Sequence, residues 1–154
     1  TNPTQSAATM ERCVAYVKRL LHPSHWDHVV LHRCAATIHL LTQQNAAALV
    51  EAAVAHTVAV ELNADDDSLL VNLEDLLMGA MCRVNEVPSP TLLRLLEHRV
   101  QSCTMAHGET SDHLVRPLQN LAEAHYLCGD VPRAHHALSR ALKIADSVNF
   151  IFLL

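Results

Sequence analysis

The stretch that decides the fold is residues 118–142, with the sequence LQNLAEAHYLCGDVPRAHHALSRAL. Its only glycine, Gly129, stands between two runs that are rich in the strong helix formers alanine and leucine. Three alanines are small enough to let two helices approach closely: Ala122, Ala134 and Ala141. Three leucines would fill the space between those helices: Leu118, Leu121 and Leu138. The stretch therefore predicts two helices that reverse direction at Gly129 and pack antiparallel.

This pattern resembles the tetratricopeptide repeat (TPR), a family of stacked helix pairs, with a spacing most like that of kinesin-light-chain arrays. The family has large apolar and small residues on its first helix, glycine in the turn and a small-large-small pattern on its second helix. The residues that fill these positions are Leu118, Leu121, Ala122, Gly129, Ala134, Leu138 and Ala141. His125 stands where the family usually has an aromatic residue, and Asp146 replaces the common terminal proline. The strong resemblance covers one helix pair only.

Weaker copies of the helix pair precede this stretch. In one, Leu73, Leu76 and Leu77 come before a turn at residues 84–90, and Leu92, Leu96 and Val100 come after it. The spacing between the copies is longer than the usual ~34 residues of the family. Residues 25–62 form a third, degenerate candidate. The predicted fold is all-α, with antiparallel helix pairs stacked as a short TPR-like right-handed superhelix of about seven helices. The alternative is a compact helical bundle with one accidental match.

Capping residues and prolines predict where the helices begin and end. We expect helices over residues 8–22, 24–42, 46–62, 69–83, 90–107, 111–128 and 130–147. The third is apolar on nearly all sides and is expected to be central. For the domains, we predict a disordered lead over residues 1–7 and a single α-helical TPR-like domain over residues 8–147. Residues 148–154 form an apolar tail or the start of a further helix.

Composition excludes several classes of function. A net charge of −5 argues against a nucleic-acid-binding protein, and the sequence has no uninterrupted apolar run of membrane-spanning length. The chain has only three glycines, so a glycine-rich phosphate-binding loop is not expected. No HExxH or GxSxG motif is present. The prediction is a protein that is not an enzyme and uses no cofactor. Five scattered cysteines favour buried, reduced thiols and an intracellular, cytoplasmic protein.

Four histidines share one face of the second predicted helix. They are His25, His28, His32 and His39, and the apolar residues Trp26, Val30, Cys34, Ile38 and Leu41 lie opposite them. This arrangement predicts a surface stripe of histidines facing solvent or a partner. The i, i+4 pair His28 and His32 could chelate a metal, but no glutamate or cysteine of this helix joins that face, so no metal site is predicted. A pH-dependent contact is a further alternative.

The resemblance implies a protein–protein interaction module, a scaffold that binds peptide or helical segments of other proteins. Its groove positions map to Arg116, Gln119, Glu123, Tyr126 and Leu127. Tyr126 is expected to stack on the ligand and Arg116 to pair with a carboxylate. The alternative is a purely structural helical subunit of a larger assembly. A histidine-based metal-binding protein is the third hypothesis.

Overall fold

The computed structural model describes residues 3–62 and 67–151, and every regular element in those ranges is helical. The prediction of an all-α fold is confirmed. The elements are α1 (Pro3–Leu20), α2 (Trp26–Leu41), α3 (Asn45–Glu61), α4 (Asp67–Val84), α5 (Pro90–His107), a 3₁₀ turn (Asp112–Leu114), α6 (Val115–Leu127) and α7 (Val131–Ile151). None of the helices in this part of the chain combines the length and the apolar character that crossing a bilayer requires.

The chain divides into two compact units, Thr1–Val84 (unit 1) and Asn85–Leu154 (unit 2), and each is described by itself. The single domain predicted over residues 8–147 spans both units. The predicted upstream helix pair, α4 with α5, also crosses the boundary between them. A stacked superhelix that joins the two units therefore stays a prediction.

Several helix ends follow from capping residues. Ser89 caps α5 by accepting a hydrogen bond from the amide of Leu92 (3.1 Å), and Asp130 does the same for the amide of Arg133 (3.2 Å) at the start of α7. The cap of α2 is His25, whose ring accepts from the amide of Asp27 (3.2 Å), and not Ser24 as its sequence position suggested. An imidazole nitrogen that lacks a hydrogen is an acceptor, so it can serve a free helix amide as an oxygen does.

Both ends of the described chain are more helical than the sequence suggested. α1 begins at Pro3, so the predicted disordered lead is helical from Pro3 onward, since proline fits the first turn of a helix. α7 continues to Ile151 without a break after Ser147, so the expected tail is in part the last turn of α7. Residues 1–2, 63–66 and 152–154 lie outside the described ranges.

Unit 1 is organised around α2, which contacts α1, α3 and α4. α3, which was expected to be central, contacts α2 and α4 among the described helices. α3 supplies a ridge of fully buried alanines at helical spacing: Ala48, Ala52, Ala55 and Ala59. Ala55 and Ala59 share a core with Val29 of α2 and with Leu70 and Leu73 of α4. The small ridge brings the neighbouring helices close together.

Unit 2 contains the helix pair that the sequence predicted. α6 and α7 pack antiparallel across the turn at residues 128–130, and α5 packs against α6. Their shared core has these buried members: Val100, Cys103, Leu114, Leu118, Ala122, Ala137, Ala141 and Ile144. Leu138, which was expected to fill the space between the helices, is 45% exposed, and Ala137 is buried instead. The inward face of α7 is thus built on Ala134, Ala137 and Ala141.

Gly129 turns the chain between α6 and α7 with a φ of +79°. A Cβ built on Gly129 meets no atom within 4 Å, so an alanine there would be strained only by its backbone conformation.

We expect Gly129→Ala to lower the free energy of unfolding by about 1 kcal/mol. Gly79→Ala is the matched control, because Gly79 lies within α4 and also has open space around its Cβ position. It should stabilise the protein by up to about 1 kcal/mol. Urea denaturation of both variants measures the difference, and equal signs would contradict this account.

Candidate functional site

The predicted groove residues lie together on the outer face of α6. Arg116, Gln119, Glu123 and Tyr126 recur every three or four residues and are all exposed, and Leu127 beside them is half-buried. Tyr126 is 67% exposed. The face therefore offers an aromatic ring flanked by a cation, an amide and a carboxylate. These are groups that peptide-binding surfaces use.

The histidines of α2 do not form the predicted surface stripe. His28, His32 and His39 are buried, at 4%, 1% and 3% exposure, and only His25 at the start of the helix is exposed. The opposite side holds the exposed residues: Trp26, Val30 and Leu41. The surface prediction is wrong for three of the four histidines. The physical cause is that Glu51 and Gln44 provide polar partners for His32 and His39 inside the core.

A chain of polar contacts links these histidines to α3. His32 Nδ1 contacts the Glu51 carboxylate, and His32 Nε2 lies 3.5 Å from Nδ1 of His28, whose ring stacks on that of His32. Because a carboxylate only accepts, His32 Nδ1 carries the hydrogen that is donated to Glu51. With neutral rings, His32 Nε2 then accepts from His28 Nδ1–H. The contact with Glu51 thus fixes the tautomers of both rings.

Two further buried histidines of unit 1, His39 and His56, also have polar partners. His39 Nδ1 lies 2.6 Å from Oε1 of Gln44 at the start of α3, and His56 Nε2 lies 3.9 Å from a carboxylate oxygen of the buried Glu74. These contacts tie α2 to α3 and α3 to α4. The four buried histidines of unit 1 are therefore part of its packing.

No group of three or more histidine, cysteine, aspartate or glutamate side chains is placed to hold a metal ion anywhere in residues 3–62 and 67–151. The pair His28 and His32 brings two nitrogens within 3.5 Å, but the second nitrogen of His32 is occupied by Glu51. The predicted absence of a metal site stays a prediction.

No disulfide joins the five cysteines. Cys13, Cys82 and Cys128 are exposed, so the expectation of buried thiols is wrong for these three.

A second feature of unit 2 was not predicted from the sequence. A groove of about 320 Å³ lies between α6 and α7, on a different face of α6 from Tyr126. Its apolar lining includes Leu118, Leu121 and Ala137. Its basic lining consists of Arg133, His136 and Arg140 of α7, and the ring of His125 from α6 lines the apolar side. The spacing of three and four residues between Arg133, His136 and Arg140 is a helical period, and this signal could have revealed the basic side of α7.

Comparison with known proteins adds no relative. No protein-family model matches the chain, and the search of curated proteins finds none that is significantly similar. The resemblance of residues 118–142 to the tetratricopeptide repeat therefore rests on the residues themselves.

Proposed function

We propose that the protein is a tetratricopeptide-like interaction module that binds peptide or helical segments of other proteins through the outer face of α6. One observation supports this most directly. Tyr126 is 67% exposed on the first helix of a packed helix pair, so its ring is accessible on a well-defined backbone. A tyrosine side chain presents a large amphipathic surface with few rotatable bonds, and tyrosine is enriched at interfaces.

The neighbours of Tyr126 indicate which partners fit. Arg116 and Glu123 lie on the same face of α6, so a segment that carries both a carboxylate and a cationic side chain would meet complementary charges. Gln119 lies between them and can donate and accept hydrogen bonds to a peptide backbone. Half-buried Leu127 extends the apolar contact beside the tyrosine ring. We accordingly assign the contact to a protein segment of mixed charge with one apolar side chain over Tyr126.

The test compares captured partners of the wild type with those of Tyr126→Ala plus Arg116→Ala. A photo-crosslinking residue at Gln119 should attach a partner covalently in the wild type, and the double variant should lose at least about 90% of that product, which corresponds to about 1.4 kcal/mol of binding free energy. Quantitative mass spectrometry of the crosslinked species provides the measurement. Identical products from both proteins would reject the assignment.

A matched control uses a tyrosine and an arginine outside α6. Tyr16 is 66% exposed, close to Tyr126 at 67%, and Arg94 is an exposed arginine of α5. Tyr16→Ala plus Arg94→Ala removes the same two side-chain types from other surfaces. This variant should keep the wild-type crosslinks, and a loss equal to that of the Tyr126 variant would contradict a role specific to α6.

A purely structural subunit of a larger assembly is the second candidate. α7 carries an exposed apolar row, Val131, Leu138 and Leu142, at 59%, 45% and 56% exposure. A neighbouring subunit would bury such a row. The predicted apolar tail, residues 148–154, would favour the same hypothesis, but its side chains lie outside the described ones. Light scattering on the purified protein separates the two candidates, since a stable oligomer that is disrupted by Leu138→Glu plus Leu142→Glu would favour the assembly.

A further inference from the structure

The groove between α6 and α7 has a charge that differs from that of the whole chain. The chain contains 16 acidic and 11 basic residues, excluding histidine, and carries a net charge of −5. Along the groove, in contrast, α7 presents Arg133, His136 and Arg140, and exposed Lys143 continues this row one turn further. No aspartate or glutamate is among the lining residues in the described part of the chain. Asp130 at the start of α7 lies 3.3 Å from Arg133, but this ion pair is exposed and weak in water, so Arg133 can still pair with a carboxylate of a partner.

The apolar side of the groove faces this basic row. Leu118, Leu121 and Ala137 line it, together with the imidazole of His125, which is only 5% exposed. A volume of about 320 Å³ is at the small end of the range for ligand pockets. Such a space suits one or two side chains of a peptide. An occupant thus needs an apolar side chain for the interior and negative charges for the α7 wall.

We propose that this groove binds an acidic segment of a partner protein, with an apolar side chain between α6 and α7 and carboxylates on Arg133 and Arg140. Arginine is suited to this role because its planar guanidinium pairs with a carboxylate through two parallel hydrogen bonds. An acidic peptide fits better than a nucleic acid or a lipid surface, because the basic row is short and borders an apolar depression. This surface goes beyond the proposed function, since it lies on a different face of α6 from Tyr126 and involves none of its residues.

Binding of a defined peptide tests the proposal. The probe is a fluorescein-labelled peptide in which leucines recur at helical spacing among glutamates, and a second peptide has glutamine in place of every glutamate. We expect fluorescence anisotropy to show that the full chain binds the glutamate peptide at least about tenfold more tightly than the glutamine peptide at low salt. Raising the salt from about 0.05 M to about 0.3 M should weaken this binding, because screening shortens the range of the charge interactions.

Charge reversal locates the site. Arg133→Glu plus Arg140→Glu should weaken binding of the glutamate peptide at least about tenfold. The control Arg19→Glu plus Arg94→Glu makes the same charge change at exposed positions outside the groove and should retain binding. Circular dichroism checks that both variants stay folded, and Arg133→Gln plus Arg140→Gln should give an intermediate loss if the reversal variant does not fold. The Tyr126→Ala plus Arg116→Ala variant should bind the peptide normally, which separates this proposal from the proposed function.

Three results would overturn the proposal. The first is equal affinity for the glutamate and glutamine peptides, which would mean that charge does not select the occupant. The second is an equal loss of binding in the control and in the groove variant, which would mean a nonspecific effect of net charge. The third is binding of phosphatidylserine vesicles or of single-stranded RNA, reduced by the groove variant, without binding of the acidic peptide.

Discussion

Leu118→Ala should lower the free energy of unfolding of unit 2 by about 3 kcal/mol. Leu118 is fully buried at the centre of the core that α5, α6 and α7 share. Shortening it removes apolar contacts and leaves a cavity, because the surrounding helices cannot fully collapse onto the smaller side chain. Hydrogen exchange followed by mass spectrometry measures the effect locally. Amides of α6 and α7 should exchange much faster in the variant, whereas those of α2 should keep their wild-type rates.

Leu138→Ala is the informative comparison, because it removes the same atoms from a position that the sequence pattern also placed between the helices. Leu138 is 45% exposed, so its truncation should cost less than about 1 kcal/mol. A large loss for Leu138 together with a small loss for Leu118 would mean that the inward face of α7 is wrongly assigned. A large loss at both positions would show that α7 is covered on two sides.

Glu51→Ala should lower the free energy of unfolding of unit 1 by about 2–3 kcal/mol. The variant removes the carboxylate that accepts a hydrogen bond from His32, which is 1% exposed. The ring would keep a buried N–H group with no acceptor, and leaving such a donor unsatisfied is costlier than losing an average hydrogen bond. The fluorescence of Trp26, the only tryptophan in the chain, follows the unfolding of unit 1 in urea.

Two variants define what the Glu51 result means. Glu61→Ala removes a carboxylate from the exposed end of the same helix and should change stability by less than about 0.5 kcal/mol. Glu51→Gln retains an oxygen that can accept from His32, so it should restore more than half of the stability lost in Glu51→Ala. Equal losses for alanine and glutamine at position 51 would rule out the hydrogen bond as the cause.

Local signals in the sequence were sufficient to predict the helices. Ser89, Pro90, Gly108 and Gly129 act within one turn of their own positions, and the observed helices begin and end close to them. The small residues Ala122 and Ala141 also correctly indicated the helix pair of unit 2. These features depend on the local backbone preference and the side-chain size of single residues, and both follow directly from residue type.

The buried histidines could not be assigned from α2 alone. Helical spacing shows that His28, His32 and His39 share a face, but it does not show whether that face points inward. The direction depends on Glu51 of α3 and on Gln44 just before α3, which provide polar partners for His32 and His39 in the core. The exposed face of α6 follows from helical spacing in the same way. Whether a partner binds this face depends also on the surface of that partner, about which the sequence of this chain carries no information.

The alanine ridge of α3 restricts how unit 1 can change over evolutionary time. Ala48, Ala52, Ala55 and Ala59 have no exposed surface, so a larger residue at any of them would force neighbouring helices apart. A bulkier residue at Ala55 or Ala59 could be accepted only with a compensating reduction across the contact, for example at Val29. Related sequences should therefore show paired exchanges along these facing helices, while the outer positions of α3 vary independently.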